Sequence, residues 1–380
     1  MQILKYTDDH INFRKRLKKF MEKEVIPNVD QWERDHIVPR EIWKKMGQEK
    51  FLCTALPAEY GGIGGDFLYS VIITEEIVRT NHAGLAAPLH SDVVVPYISG
   101  YASEELKKKY LPGCVSGEII TAVAMTEPDA GSDLASMTTI AEQDGDSIVI
   151  NGSKTFISSG ILSDLVVVSA KDPKEAEPHK ALSLYLVEAG TPGFSKGKQL
   201  DKMGWHSQDT SELFFSNCRI PRENILGRAG DGFKILMEKL QQERLIVAIM
   251  AVASAECALE TTIDFCKNTI VSGKALTRSQ AVQFALVEMA TEVKIGRSFL
   301  DTLIADHNEG KQVIIETSMA KYWTTDMLKR LVDRCLDLFG EYGISEQCPI
   351  TRGWRDVRVM AIFAGTNEIM KQIAAKFMGF

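Results

Sequence analysis

Asp144-Gly145-Asp146-Ser147-Ile148-Val149-Ile150-Asn151-Gly152 lies near the middle of a chain of 380 residues. Asp-Gly and Asn-Gly are turn dipeptides, because Gly, Asn and Asp all tolerate positive φ. The apolar run between them is too short for a helix and rich in β-branched residues, which marks a strand. Two more such runs follow, Leu165-Val166-Val167-Val168 and Leu182-Ser183-Leu184-Tyr185-Leu186-Val187. The region 122–229 therefore reads as a compact antiparallel β domain, a barrel or sandwich.

Outward from this region the texture changes on both sides. Upstream, residues 10–23 place Ile11, Phe13, Leu17, Phe20 and Met21 near helical spacing. A second helix is expected over 103–110, with Ser103 as N-cap and Pro112-Gly113 as its end. Downstream, apolar-periodic stretches cover 233–266, 279–308 and 313–338, and no proline occurs between Pro221 and Pro349. Long helices need that absence, since an interior proline removes a hydrogen bond and clashes with the preceding turn. The expected fold class is α+β in three domains: helical over 1–121, β over 122–229 and helical over 230–380.

Composition narrows the function. Hydrophobic residues make up 45% of the chain and charged residues 25%, as in ordinary globular proteins. A net charge of −7 argues against a nucleic-acid binder, which carries a basic surface. No run approaches the roughly 20 apolar residues of a membrane helix. The polar start, Met1 to His10, lacks a secretory core. Seven scattered cysteines, none in CxxC, point to reduced thiols and a cytoplasmic protein. Nothing suggests a metal site, since no HExxH or paired-Cys spacing occurs.

Six segments carry a resemblance. They are Ala124-Met125-Thr126-Glu127-Pro128-Asp129-Ala130-Gly131-Ser132-Asp133, Asn151-Gly152-Ser153-Lys154-Thr155-Phe156-Ile157-Ser158-Ser159-Gly160, Pro57-Ala58-Glu59-Tyr60-Gly61-Gly62, Met203-Gly204 through Asp209-Thr210, Ser211-Glu212-Leu213-Phe214-Phe215, and Gly365-Thr366-Asn367-Glu368-Ile369. Together, in order and spacing, they resemble the acyl-CoA dehydrogenase family. The resemblance implies an N-terminal helical domain, a middle antiparallel β-barrel domain and a C-terminal four-helix bundle. It also implies FAD, an acyl-CoA substrate, an electron-transfer flavoprotein as acceptor and a homotetramer.

The resemblance assigns roles as well. Val123, Met125, Thr126 and Ser132 belong to the segment over the flavin, and Phe156, Ile157 and Ser158 to the strand beside it. Gln280, Phe339, Gly340, Thr366 and Glu368 match further cofactor positions. Ser132, Arg244, Ala364 and Gly365 match positions on the substrate side. In this chemistry a carboxylate takes the α proton of the thioester while a hydride leaves the β carbon. Many relatives place that carboxylate just before Gly-Thr, where this chain has Ala364. Long-chain and isovaleryl-type members are similar here, and their base precedes an arginine on the first long C-terminal helix. The matching residue is Glu243, before Arg244.

A second departure is Asp92, within Leu89-His90-Ser91-Asp92-Val93-Val94, which matches the helix lining the acyl pocket. An unpaired carboxylate there is costly to bury. As a base acting further along the acyl group, Asp92 suits 1,4-elimination on an alicyclic substrate such as cyclohexene-carboxyl-CoA. With Glu243 as base the expectation is 1,2-dehydrogenation of branched or long chains. Thr269 and Ser272 replace an arginine and a phenylalanine that reach a neighbouring subunit's cofactor in relatives. A flavin oxidase or monooxygenase on the same fold, and a non-catalytic CoA-binding scaffold, are the alternative classes.

Overall fold

The computed structural model describes residues 3–380. The first domain is helical. Helix α1 (Asp8–Phe20) is started by Thr7, whose side chain accepts from the His10 N–H while the His10 ring accepts from the Thr7 N–H, a reciprocal capping box. Next come α2 (Val29–Asp35), α3 (Arg40–Gln48) and α4 (Phe67–Val78). Nine of the ten residues from Leu68 to Ile77 in α4 are buried, all but Tyr69, so it is a core helix without a polar face. A π-helical turn (Leu89–Val94) leads into α5 (Val95–Tyr101), and α6 (Glu104–Ser116) follows. Ser103 caps α6 as expected, accepting from the Leu106 N–H.

Pro112-Gly113 does not end α6. The helix runs on to Ser116 and stops at Gly117, which is left-handed at φ 75°. Pro112 sits on the exposed face, as does Lys108, whose carbonyl loses its helical partner. Water can serve that carbonyl, while Leu111, Cys114 and Val115 hold the last turn in the core.

The middle domain contains β1 (Thr121–Ala124), β2 (Ile140–Asp144), β3 (Ser147–Ile157), β4 (Leu165–Lys171), a short α7 (Pro178–Ala181), β5 (Leu182–Glu188), β6 (Phe194–Gln199), β7 (Ser211–Pro221) and β8 (Ile225–Leu226). They form one eight-stranded sheet in the order β6-β7-β3-β2-β4-β5-β8, with β1 also on β4. The Asp144–Ser147 turn closes the β2–β3 hairpin. Pairing is antiparallel except at β4, which takes β1 and one residue of β2 in parallel. Near its end β3 slips register against β7 between Lys154 and Ile157, and Phe156 there adopts φ 56°.

Inside this domain lies a buried ion pair. The Lys154 ammonium donates to Glu127 Oε1 at 2.9 Å, to the Met125 carbonyl at 3.0 Å and to Ser169 Oγ at 3.2 Å. Glu127 also accepts from the backbone of Thr138 and Thr139. The pair ties the strand beside Phe156 to the Met125–Ala130 loop.

The third domain is built on α8 (Gly232–Asn268), a single helix of 37 residues and about 55 Å. A two-stranded hairpin, β9 (Ile270–Val271) and β10 (Lys274–Ala275), precedes α9 (Gln280–Asn308) and α10 (Ile314–Phe339), then α11 (Pro349–Asp356) and α12 (Asn367–Met378). Helix α10 packs against α8, α9 and α12. Contrary to the reading that no apolar run is long enough, α8 contains an 18-residue window that would pass for a membrane span on length and composition. Most of that window is buried within the domain, so its apolar character is that of a central core helix. Ionic contacts join α8 and α9 to the first domain: Arg297 binds Glu256 and Glu75, and Glu75 also receives Arg14.

Candidate active site

Where α8 passes α4, the 81–93 segment and α11, the domains enclose a cavity of about 260 Å³. Its middle is apolar, with Ile77, Val78, Ile246, Val247 and Met250 among the lining side chains. Ser158, Trp205 and Phe363 line it as well, and the Trp205 ring meets Phe363 edge-on at 5.4 Å. Glu243 is the carboxylate on α8 that enters this cavity.

Glu243 is poised for proton transfer. Its Oε2 is buried and has no hydrogen-bond partner among the described residues. Burial pushes its pKa up to about 7, while the nearby cations Arg244 and Lys321 pull the other way. A base with a pKa near the working pH is what general base catalysis favours. The buried Tyr97 phenol stands close enough for Glu243 to add to the rise in its own pKa.

The C-terminal motif is held beside this carboxyl by the same two cations. Arg244 Nε donates to the Ala364 carbonyl at 3.4 Å, and the Lys321 ammonium donates to the Gly365 carbonyl at 2.7 Å and to Asn367 Oδ1 at 3.0 Å. Ala364 and Gly365 are both left-handed, at φ 56° and 92°. That conformation costs an alanine about 1–2 kcal/mol, so the clamped carbonyls have strain to hold. Thr366 then caps α12. Sequence reasoning brings Glu243, Arg244, Ala364, Gly365 and Thr366 together here, but it misses Lys321, Tyr97 and Trp205. Lys321 had one visible signal, a lone lysine on the apolar face of a long helix.

Asp92 is placed differently from the expectation. Leu89 and Val93 line the cavity, but Asp92 does not. Its backbone carbonyl touches α8 by accepting from Gln242 at 2.6 Å, while its carboxyl turns to α4 and accepts from Ser70 Oγ at 2.5 Å. Asp92 lies within the π-helical turn, whose winding differs from that of an α-helix. Oδ2 is buried and has no partner among the described residues, and burial lifts the carboxyl to about 7 against the lowering effect of Ser70. A raised folded pKa means the native state holds a proton the unfolded chain has released, so stability falls as pH rises from about 4 to about 7. We expect Asp92→Asn to stabilise the protein at pH 8 by about 3–4 kcal/mol, with the gain gone near pH 4. Melting temperatures across that range test this, and a destabilised variant at pH 8 contradicts it.

The positions expected to hold FAD fall into two groups. In the first, Val123, Met125 and Thr126 are half-buried at the end of β1, Ile157 ends β3, and Ser158 begins the turn that follows it. Phe156 projects from the register slip with 68% of its surface exposed. An aromatic face held outward on a strained backbone fits a flat ring system such as the isoalloxazine. The Ile157 side chain points into the β core, so only its backbone can face a ligand. Ser132 is exposed in the adjoining loop, and Glu368 is exposed in the first turn of α12.

The second group is distant. Phe339 ends α10, buried and stacked on Phe265 at 4.0 Å, and Gly340 follows it at φ 57°. Phe265 lies about 33 Å along α8 from Glu243 by the helical rise. Gln280 starts α9, exposed. Thr269 caps the end of α8, half-buried, and Ser272 lies in the exposed turn between β9 and β10.

Comparison with known proteins bears on this geometry. Models of the acyl-CoA dehydrogenase N-terminal, middle and C-terminal domains match residues 7–118, 122–218 and 230–379. The chain is 41% identical to the mitochondrial long-chain specific acyl-CoA dehydrogenase of Sus scrofa, over 98% of this chain and 86% of that protein. It superposes on the crystal structure of an acyl-CoA dehydrogenase from Geobacillus kaustophilus with a TM-score of 0.97 and 49% identity, covering 99% of each chain. A chain in the Acidaminococcus fermentans electron transferring flavoprotein structure matches with a TM-score of 0.93 and 33% identity, again over 99% of each. Glu243 in a largely apolar cavity, the outward Phe156 and this likeness over the whole chain agree: the protein belongs to the acyl-CoA dehydrogenase family, FAD-dependent oxidoreductases acting on acyl-CoA thioesters.

Proposed function

We propose that the protein dehydrogenates long-chain acyl-CoA thioesters between the α and β carbons, with Glu243 as the base. The observation that carries this reading is the placement of Glu243, whose buried Oε2 has no partner among the described residues, at one point of a cavity that then follows α8 past Met250 to Thr261. Thr261 lies about 27 Å beyond Glu243 by the helical rise. An extended acyl chain fits such a shape, and a compact ring does not need it. FAD, when bound, supplies the hydride acceptor; Met125, Thr126, Phe156 and Ser158 are the residues that would hold its ring system. Glu243 takes the α proton, and Arg244 and Lys321 keep the Ala364–Gly365 turn and the carboxyl in fixed relation. The surrounding apolar side chains exclude water, which strengthens every charge interaction at the carboxyl.

The alicyclic reading requires Asp92 at the acyl pocket, and with its carboxyl bound to Ser70 that reading loses its support. Electron-transfer flavoprotein is the proposed acceptor, and the cytoplasm the proposed compartment. A homotetramer is also proposed. Phe284, Val287 and Ile295 form an exposed apolar stripe on α9, a face that a neighbouring copy would cover.

Anaerobic flavin bleaching by a set of CoA thioesters tests the substrate. Palmitoyl-CoA should show a kcat/KM at least about tenfold above butyryl-CoA, since each buried methylene contributes about 0.8 kcal/mol. A faster reaction with butyryl- or cyclohexene-carboxyl-CoA would sink the long-chain assignment. Hydrogen peroxide formed in air at the rate of turnover would favour an oxidase.

A further inference from the structure

We propose that the far end of the acyl cavity binds a terminal carboxylate through Arg79, so that ω-carboxylated long-chain acyl-CoA thioesters, the mono-CoA esters of long dicarboxylic acids, are preferred substrates. The proposal rests on the long-chain reading above and deepens it.

The cavity has a different chemistry at each end. At the reacting end stands Glu243. Beyond the apolar stretch of Ile77, Val78, Ile246 and Met250, the lining includes Arg79, Asn81, Cys257 and Thr261. Cys257 lies about 21 Å from Glu243 along α8 by the helical rise. An all-methylene acyl tail has no use for a guanidinium where its terminal methyl group would lie. A cavity evolved only for such tails would close on apolar groups, as the middle of this one does.

Arg79 is also under-committed. It follows the last residue of α4 with its side chain 43% exposed. Among the described residues its side-chain partner is Glu260, at 3.4 Å, longer than the 2.7–2.9 Å typical of a charge-assisted bond. Glu260 is itself 63% exposed and free to turn to water. The other carboxylates nearby are already neutralised: Glu76 accepts from Arg14 at 3.0 Å, and Glu256 is bound by two nitrogens of Arg297 at 2.8 and 2.7 Å. An incoming carboxylate therefore competes with Glu260 alone. Arginine's planar fork pairs with a carboxylate through two parallel bonds, which the present single contact with Glu260 does not use. Asn81 donates to the Pro349 carbonyl and fixes the adjoining wall.

The test compares hexadecanedioyl mono-CoA, its ω-methyl ester and palmitoyl-CoA as reductants of the holoenzyme flavin, in wild type, Arg79→Gln and Glu260→Gln. In wild type at low salt, the free acid should exceed its methyl ester in kcat/KM by about tenfold, the size of one partly exposed charge-assisted contact. The preference should shrink at high salt, because this end is open to water. Arg79→Gln should abolish it, and Glu260→Gln, which removes the competitor, should raise it several-fold. Equal rates for acid and ester in wild type overturn the Arg79 proposal and leave the long-chain reading standing, provided palmitoyl-CoA still reduces the flavin. If none of the three reduces it, the long-chain reading falls and this proposal with it. A preference that survives Arg79→Gln assigns the carboxylate site elsewhere and also overturns the proposal.

Discussion

Glu243→Gln should slow reduction of the flavin by an acyl-CoA thioester by roughly 10²–10⁴-fold, the usual contribution of a positioned base. The substitution keeps the shape of the side chain and removes only its ability to take a proton. Glutamine also adds no buried charge, so the cavity has no reason to collapse. In the wild-type enzyme, kcat/KM should rise with pH through about 7, because burial holds Glu243 there. Of the charged and titratable groups around it, Arg244 and Lys321 oppose that rise, and the Tyr97 phenol is pushed well above its usual range. The tyrosine thus stays neutral throughout the window, whereas Asp356 on the same cavity, pushed up to about 7 by burial, and Lys321, drawn down to about 8 by burial, titrate within it, so the limb is assigned to Glu243 by its loss in the glutamine variant. The glutamine variant should show residual activity without that limb. Stopped-flow bleaching across pH 5–9 decides the matter: a variant within threefold of wild type rules Glu243 out as the base.

Lys154→Met should be the most damaging single change outside the cavity. The ammonium is fully buried and bonded to a carboxylate that is almost equally buried. Deleting one member of such a pair leaves the other charged and unmatched, which typically costs about 3–5 kcal/mol. Burial alone would raise the Glu127 carboxyl, but Lys154 and the donors of Thr138 and Thr139 bring it down to about 2. Its folded pKa is therefore below its unfolded value of about 4.3. The stability it contributes is complete above that value and disappears as pH falls toward 2. The loop it anchors runs from Met125 to Ala130, so FAD retention should fall along with stability. Adding Glu127→Gln to Lys154→Met removes the orphaned charge and should recover more than half of the loss. Thermal unfolding of the single and double variants measures both. A single variant that melts within a degree of wild type contradicts this account.

The helices of the third domain were legible because long periodic patterns announce themselves. The stretches 233–266, 279–308 and 313–338 differ from α8, α9 and α10 by no more than two residues at either end. The β domain was legible as strands but not in its pairing: nothing local to Thr121–Ala124 says that it lies parallel to β4, since that partner is more than forty residues away. Strand β6, with Lys196, Gly197 and Lys198 in it, carries no apolar run and left no signal. Pro112 misled because its cost depends on whether the carbonyl it orphans faces water, a tertiary property. Asp92 misled for a related reason. Which wall of a helix meets a cavity depends on its winding, and one π-helical turn changes that winding without any mark in the residue types. Glu243 emerged through likeness to relatives, since a Glu-Arg pair on a helix is ordinarily a surface feature. Its burial beside Lys321 is visible only once α10 is folded against α8.

The unbroken course of α8 has one more consequence. The carboxyl that starts the reaction and the residues that meet the far end of the acyl chain ride on the same rod. Domain hinging can open or close the cavity, yet it cannot change the interval between those points. The helix is thus a ruler whose marks are Met250, Ser254, Cys257 and Thr261, each about one turn, or roughly 5.4 Å, from the next. A bulky residue at one mark would shorten the accepted chain by a discrete step and leave the zero of the scale, Glu243, where it is. Chain-length preference in this protein should therefore shift stepwise under mutation and stay nearly constant with temperature.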